Sequence, residues 1–320
     1  MDKRVSLFLS LLVIVLCSPL VWAAEELYPN RPINIIIPMA PGGVMDFQSK
    51  LIGDKLSEVL GQPIAKVHKP GAGGTMAASF AARAKPDGYT LFMGTSTNII
   101  FSPLVKKLDY AWEDFIPLGI YAKGIVRLYV TADAKWKTVE DFIAEAKERQ
   151  LKVSSFGRLT PPDFVIQVLS KRAGIKLAHV PYKSCGEAVT ALLGGHVDGD
   201  FCTSSMGQVQ AGAVRVLAAA DHERSKFEPD VKTFKELGYP VAFSLWNSFC
   251  VPKKTPKRIV DILSNGMQEV FKRWGKEIED GLLKIEYVSY FLDSQQSIQE
   301  MKKDYEFQSA LVKELGVVAE

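Results

Sequence analysis

The sequence predicts an α/β protein of two domains, and three observations carry that reading. Short apolar runs such as Ile33, Ile35, Ile36 and Ile37 alternate with longer stretches of helical period. Pro- and Gly-rich turns fall at the strand ends, and the whole pattern starts afresh near Ile125. A length of 320 residues, with 47% hydrophobic and 23% charged side chains, suits two modest cores and argues against disorder. The formal net charge of +3 is too balanced to suggest a nucleic-acid surface.

The chain opens with Lys3 and Arg4, then an uncharged apolar run over 5–22, with Val21 and Ala23 placed before a cut at Ala24. This is the pattern of an export signal over residues 1–23. The competing reading is an uncleaved anchor, because 5–24 is about long enough to span a bilayer. Cys17 follows Leu16, where a lipid-anchor site wants a small residue. Beyond the signal, Cys185, Cys202 and Cys250 allow at most one internal disulfide. Cys185 and Cys202 are placed to pair, and three buried free thiols is the alternative.

The stretch 33–60 reads as a buried strand, a turn containing Pro38, Pro41, Gly42 and Gly43, and a helix. That helix carries Phe47, Leu51, Ile52, Leu56, Val59 and Leu60 at helical spacing and stops at Gly61. In such a unit the loop lies at the carboxyl end of the strand, where the helix aims its unpaired amides, so a small anion suits it. A strand at 64–67 then leads into Pro70-Gly71-Ala72-Gly73-Gly74-Thr75 and an Ala-rich helix over 76–85, ended by Pro86-Asp87-Gly88. The strand over 89–93 delivers a third loop, Gly94-Thr95-Ser96-Thr97-Asn98.

The second domain starts with a strand at 125–131. Thr138 with Asp141 forms a helix cap, and a strand follows at 151–156. Thr160 as N-cap, Pro161 at the first helical position, Asp163 three beyond the cap and Gly174 as the stop predict a helix over 161–173. Strands at 177–180, 195–202 and 214–220 and a helix at 187–193 complete this domain. The chain crosses back near 246–252, and the mostly helical remainder from Thr255 is expected to cover the first domain. The boundaries read as 24–124 plus 247–320 for one lobe and 125–246 for the other.

Several stretches occur in one order: Pro29-Asn30-Arg31-Pro32-Ile33, Ala40-Pro41-Gly42-Gly43 with Asp46, Leu60-Gly61-Gln62-Pro63, Lys69-Pro70-Gly71-Ala72-Gly73-Gly74, Pro86-Asp87-Gly88-Tyr89-Thr90-Leu91, Val180-Pro181-Tyr182-Lys183, and Leu193-Gly194-Gly195 with Val197-Asp198. Together they resemble the Bug, or TctC-like, family of periplasmic solute receptors that serve tripartite tricarboxylate transporters. The resemblance spans the mature chain. It implies a two-lobed periplasmic-binding-protein fold of type II, a Venus flytrap whose lobes each hold a mixed sheet flanked by helices. Such a protein closes over a small organic acid, requires no cofactor, is expected to be a monomer, and works with membrane components of the transporter.

Carried over by position, the resemblance places first-lobe contacts at Gly42, Gly43, Asp46, Gly73, Thr75, Thr95, Ser96 and Thr97, and second-lobe contacts at Ser155, Arg158, Thr160, Asp163, Tyr182 and Asp198. Val44 and Met45 depart from the family pattern, which has Gly, Ser or Thr there, and make this copy of the loop more apolar. Arg158 and Asp163 fall where small neutral residues and His are usual.

Residue chemistry sorts these candidates. The glycines also suit plain tight turns. Asp46 would repel a carboxylate, so its expected role is to orient the loop or a water. Thr95, Ser96 and Thr97 offer hydroxyl donors without a charge to desolvate. Arg158 beside a helix start can grip a carboxylate with two parallel hydrogen bonds, or stand solvated or paired with Asp163. Tyr182 either meets the ligand or packs. His196, Asp198 and Asp200 would share one face of a strand, but no fourth ligand accompanies them, so no metal is expected. The second glycine loop does not complete G-x-G-x-x-G, and the third lacks the closing glycine of G-x-S-x-G. A binding receptor is therefore expected rather than an enzyme. The alternatives are an exported enzyme acting on an organic acid, or a receptor docking to a membrane sensor.

Overall fold

Isoleucines 33, 35, 36 and 37 build β1 (Ile33–Ile37), which is buried as a central parallel strand must be. This computed structural model describes residues 27–225, 228–243 and 245–317, so the signal reading of residues 1–23 falls outside them. After β1 comes α1 (Val44–Leu60), closed by Gly61 in the left-handed region. Next are β2 (Ile64–His68) and α2 (Thr75–Ala82), whose fully buried Ala77 and Ala78 let it lie close on the sheet. This helix ends three residues before the expected 85.

The expected third loop is absent. β3 (Thr90–Thr95) continues through Gly94 and Thr95 into a π-helical turn, Thr97–Phe101, and then α3 (Ser102–Val105). Side chains explain the change, because Asn98 Oδ1 accepts from the Thr95 amide (2.9 Å) and Thr95 Oγ1 accepts from the Asn98 amide (3.2 Å). The residues that suggested a loop satisfy the backbone of a helix start instead.

β4 (Phe115–Gly124) leads into β5 (Val126–Thr131), then α4 (Val139–Glu148), which begins on the Thr138–Asp141 capping box. There follow β6 (Leu151–Ser155), α5 (Pro161–Ala173), β7 (Leu177–Pro181), α6 (Cys185–Leu193), β8 (Gly199–Cys202), α7 (Met206–Gln210) and β9 (Val214–Ala220). The chain returns through β10 (Leu245–Pro252), α8 (Lys257–Leu283), β11 (Val288–Asp293) and α9 (Ser294–Leu315).

These elements form two mixed sheets flanked by helices, one per lobe. The first has the order β11-β4-β10-β3-β1-β2 and the second β7-β6-β8-β5-β9. β1 runs parallel to β2 and β3, and β10 runs antiparallel between β3 and β4. In the second sheet β6 is parallel to β7 and β8. Both sheets therefore turn the carboxyl ends of their parallel strands, where ligands bind in open α/β sheets, into loops that open helices.

Two expectations are corrected. β8 starts at Gly199, so His196 and Asp198 lie in the preceding turn and share no strand face with Asp200. The remainder after Thr255 is mostly helical as expected, with one strand, β11, paired with β4. The last helix does not cover the first lobe alone, because Leu311 and Val312 of α9 lie in a core with Phe164 and Leu169, and Glu314 pairs with Arg172 of α5. Among the described residues no helix is long and apolar enough to cross a membrane.

Cys185 and Cys202 are joined as a disulfide that ties the start of α6 to the end of β8, while Cys250 is buried and free, its thiol pushed up to about 12 by burial. The bridge closes a sequence separation of 17. Replacing both cysteines of the bridge with serine should lower the unfolding free energy by about 3 kcal/mol, because the unfolded chain loses that restraint. Urea denaturation measures it, and an unchanged midpoint would show that the bridge adds no stability.

Candidate functional site

In the first lobe, the loops after β1 and β2 meet the π-helical turn that follows β3 at the carboxyl ends of these strands. Gly74, with a φ of 91°, lies so close to Pro38 and Asn98 that a Cβ there would stand 3.0 Å from each. Only glycine lets the second loop touch the first loop and the π-helical turn at once. Gly43 precedes α1 as its N-cap and no side chain caps that helix, so its first amides and the positive end of its dipole face the junction of the loops.

Asp46 holds this junction from the side. Its carboxylate accepts from the Gly42 amide (3.2 Å), Lys66 Nζ (3.3 Å) and His68 Nε2 (3.0 Å). The Gly42 amide chiefly keeps its pKa below the usual carboxylate range; burial opposes this, and Lys66 and His68 reinforce it. Asp46 thereby fastens the first loop to β2, with no oxygen left to confront an anion. Thr75 is turned inward, its hydroxyl donating to Ala72 O (3.0 Å), and Gly73 makes the turn with a φ of 70°. Thr95 is engaged with Asn98, Thr97 is half-buried at the start of the π-helical turn, and Ser96 is fully buried with no partner for its hydroxyl among the described residues. Of the two residues that made the sequence look drier, Met45 points into the core and only Val44 is exposed.

Sequence reasoning missed Gln48. It lies on α1, fully buried, where its Oε1 accepts from Asn247 Nδ2 (2.7 Å) and Tyr121 OH (3.1 Å), and its Nε2 has no partner among the described residues. Its one signal was a glutamine inside an amphipathic helix. Asn247 sits on β10 opposite Thr95 and Ala122, so Gln48 links α1 to the strands by which the chain passes between lobes.

In the second lobe, Ser155 ends β6 with its side chain fully buried and its Oγ 2.7 Å from His179 Nε2. His179 Nδ1 in turn lies 2.9 Å from Asp163 Oδ1. Asp163 Oδ2 accepts from the Leu159 amide (2.8 Å), and Thr160 Oγ1 donates to Gly157 O (2.8 Å). Burial raises the Asp163 pKa, but His179, the Leu159 amide and Gln167 outweigh it and leave the carboxyl below its ordinary range. The order Ser–His–Asp is that of a hydrolytic triad, yet Ser155 is enclosed and its hydroxyl also lies 3.1 Å from Gly157 O. What the network does is clamp the 156–160 turn.

Arg158 stands exposed at the tip of that turn. Asp163 is taken by His179 and Leu159, so the pairing of Arg158 with Asp163 is not formed. The Tyr182 amide donates to Ser155 O (2.8 Å), while its side chain packs against the buried cluster that includes Tyr129, Ala188 and Cys202. Asp198 belongs elsewhere: it accepts from the Lys152 amide (2.7 Å) and Arg149 (2.9 Å) at the amino end of β6, away from the carboxyl-end loops. The two loop groups adjoin through Phe101, the last residue of the π-helical turn, whose ring meets Phe164 in the first turn of α5 edge-on at 4.6 Å.

Loops of two mixed sheets that converge on an uncapped helix start are a receptor-like arrangement, and comparison with known families decides which. The model of the tripartite tricarboxylate transporter family receptor, TctC, matches residues 49–317. The chain belongs to this family. A relative from Cupriavidus necator, the UPF0065 protein in the gbd 5′ region, is 32% identical over 92% of this chain and 90% of its own. BugT of Bordetella pertussis is 30% identical over 78% of this chain and 79% of its own. The TctC solute-binding protein of Polaromonas superposes with a TM-score of 0.79 at 27% identity, covering 90% of this chain and 99% of that one. MatC from Rhodopseudomonas palustris, solved with bound malate, has a TM-score of 0.72 at 25% identity and covers 89% and 100%. The Bug resemblance and the two-lobed periplasmic-binding-protein fold are thus confirmed, and the TctC family is one of periplasmic solute-binding receptors.

Proposed function

We propose that this TctC-family protein is an exported, monomeric receptor that binds a small carboxylate between its lobes, leaves it chemically unchanged, and passes it to membrane components of a tripartite tricarboxylate-type transporter. One observation carries the reading: the uncapped start of α1 meets two converging loops and the π-helical turn, beside two buried donors that have no partner among the described residues, Ser96 Oγ and Gln48 Nε2. Buried donors without partners are costly unless a ligand or water completes them, and a carboxylate suits donors beside a positive helix end. The malate held by MatC supports the same class. In this reading Gly42, Gly43 and Gly73 shape the first-lobe cradle, and Arg158 closes on the acid from the second lobe. A ligand that touches both lobes favours the closed form by its extra contacts there.

The test is thermal melting of the purified mature protein with mono-, di- and tricarboxylates and with neutral solutes of matching size. A true ligand at 100 times its dissociation constant adds about 2.7 kcal/mol. Arg158→Ala should weaken that binding by roughly 1.5 to 3 kcal/mol, the worth of a charged hydrogen bond. Stabilisation by neutral solutes but by no carboxylate would overturn the reading, and an unchanged affinity would remove Arg158 from the site.

A further inference from the structure

We infer that the ligand is a monocarboxylate with an apolar body, whose hydrocarbon part lies against Met39, Val44, Phe47 and Met76 while its carboxylate meets the start of α1. This deepens the carboxylate-receptor reading and rests on it. Eight large apolar side chains stand exposed among the described residues, and five of them fall on the turn after β1, the first turn of α1, and α2. Met39 is 44% exposed, Val44 37%, Phe47 40% and Met76 59%. Such clustering around a polar cradle is how ligand sites are lined: mostly apolar wall, few polar anchors.

The helix direction aims this wall. Val44, Phe47 and Gln48 are three and four residues apart and share one side of α1. Gln48 is fastened to Asn247 and Tyr121, so that side looks toward the strands between the lobes. On α2, Met76 lays its thioether over Gly71, where any Cβ would collide with it, which keeps the methionine beside the second loop. The charges point the same way. Lys66 and His68 are engaged by Asp46, and Lys69 lies 4.1 Å from the centre of the Phe80 ring. Among the described residues, Lys66 and His68 are thus turned to Asp46, and the exposed side chains of Met39, Val44, Phe47 and Met76 offer a second carboxylate hydrocarbon and no charge.

Calorimetric titration of the mature protein with butanoate, hexanoate, octanoate, adipate and hexan-1-ol tests this. Affinity should rise about fourfold per added methylene along the monoacids, the gain from burying one such group. Adipate, equal in length to hexanoate, should bind at least tenfold more weakly than it does. In Val44→Ser and Phe47→Ser, both changed at exposed positions and checked by melting temperature, the rise with chain length should flatten. Adipate binding more tightly than hexanoate would overturn the inference and leave the carboxylate receptor standing. An undiminished rise in both variants would overturn the placement of the apolar body. Binding of hexan-1-ol with no binding of any acid would overturn both readings.

Discussion

Arg127→Ala should lower the unfolding free energy by about 3 to 5 kcal/mol, because it strands a buried carboxylate. Arg127 lies on β5 with its side chain 4% exposed, and Glu228, its partner, is 11% exposed. The guanidinium Nε lies 3.0 Å from Glu228 Oε1 and 2.9 Å from Oε2, Nη2 donates to Oε2 as well, and Nη1 donates to Ile125 O at 3.1 Å. The pair joins the segment after β9 to the strand entering the second lobe. Glu228→Gln alone should also destabilise, whereas Arg127→Met with Glu228→Gln should recover much of the loss, since a buried pair replaced as a whole leaves no naked charge. Urea denaturation of the three variants measures this. A loss below 1 kcal/mol for Arg127→Ala would mean that water reaches Glu228.

The second large effect is a pH dependence centred on Asp200. This residue of β8 is fully buried, accepts one hydrogen bond from Ser154 Oγ (2.8 Å), and has no partner for Oδ2 among the described residues. Burial pushes its pKa up to about 7, with Ser154 opposing. The folded protein therefore keeps the Asp200 proton where the unfolded chain has released it. The stability so contributed is complete below about pH 4 and disappears as the pH rises through 7. Asp200→Asn cannot titrate, so its stability relative to the parent protein should climb from pH 4 to pH 8, by roughly 4 kcal/mol in total. Denaturation at pH 4, 6 and 8 reads the difference directly. A constant difference across that range would mean that Asp200 has an ordinary pKa.

Elements governed by neighbouring residues were legible in the sequence. The helix over 161–173 follows from Thr160, Pro161 and Gly174, and the Thr138 box and the Gly61 stop act within one turn, so local spacing is enough to place them. The Cys185–Cys202 pair was one of two open arrangements, and folding chose between them by bringing their Cα atoms to 5.7 Å. The third loop was misread because Thr, Ser and Asn serve turns and helix starts alike, and the mutual capping of Thr95 and Asn98 decides the matter. β8 was read too long because Asp198, spaced as a strand residue, spends its carboxylate on the Lys152 amide.

The sequence by itself determined the α/β class, the family, and the three glycine- and hydroxyl-bearing stretches after the first strands. Those depend on local backbone chemistry and on motif order. Only the tertiary structure decided how the site residues are employed. It turned Asp46 sideways onto Lys66 and His68, gave Asp163 to His179 and not to Arg158, and set Gln48 against Asn247 from 199 residues away. It also sent Met45 inward while leaving Val44 and Phe47 outside. Side-chain partners are fixed by strand order and helix orientation, and these come from packing the whole chain, so no local pattern records them.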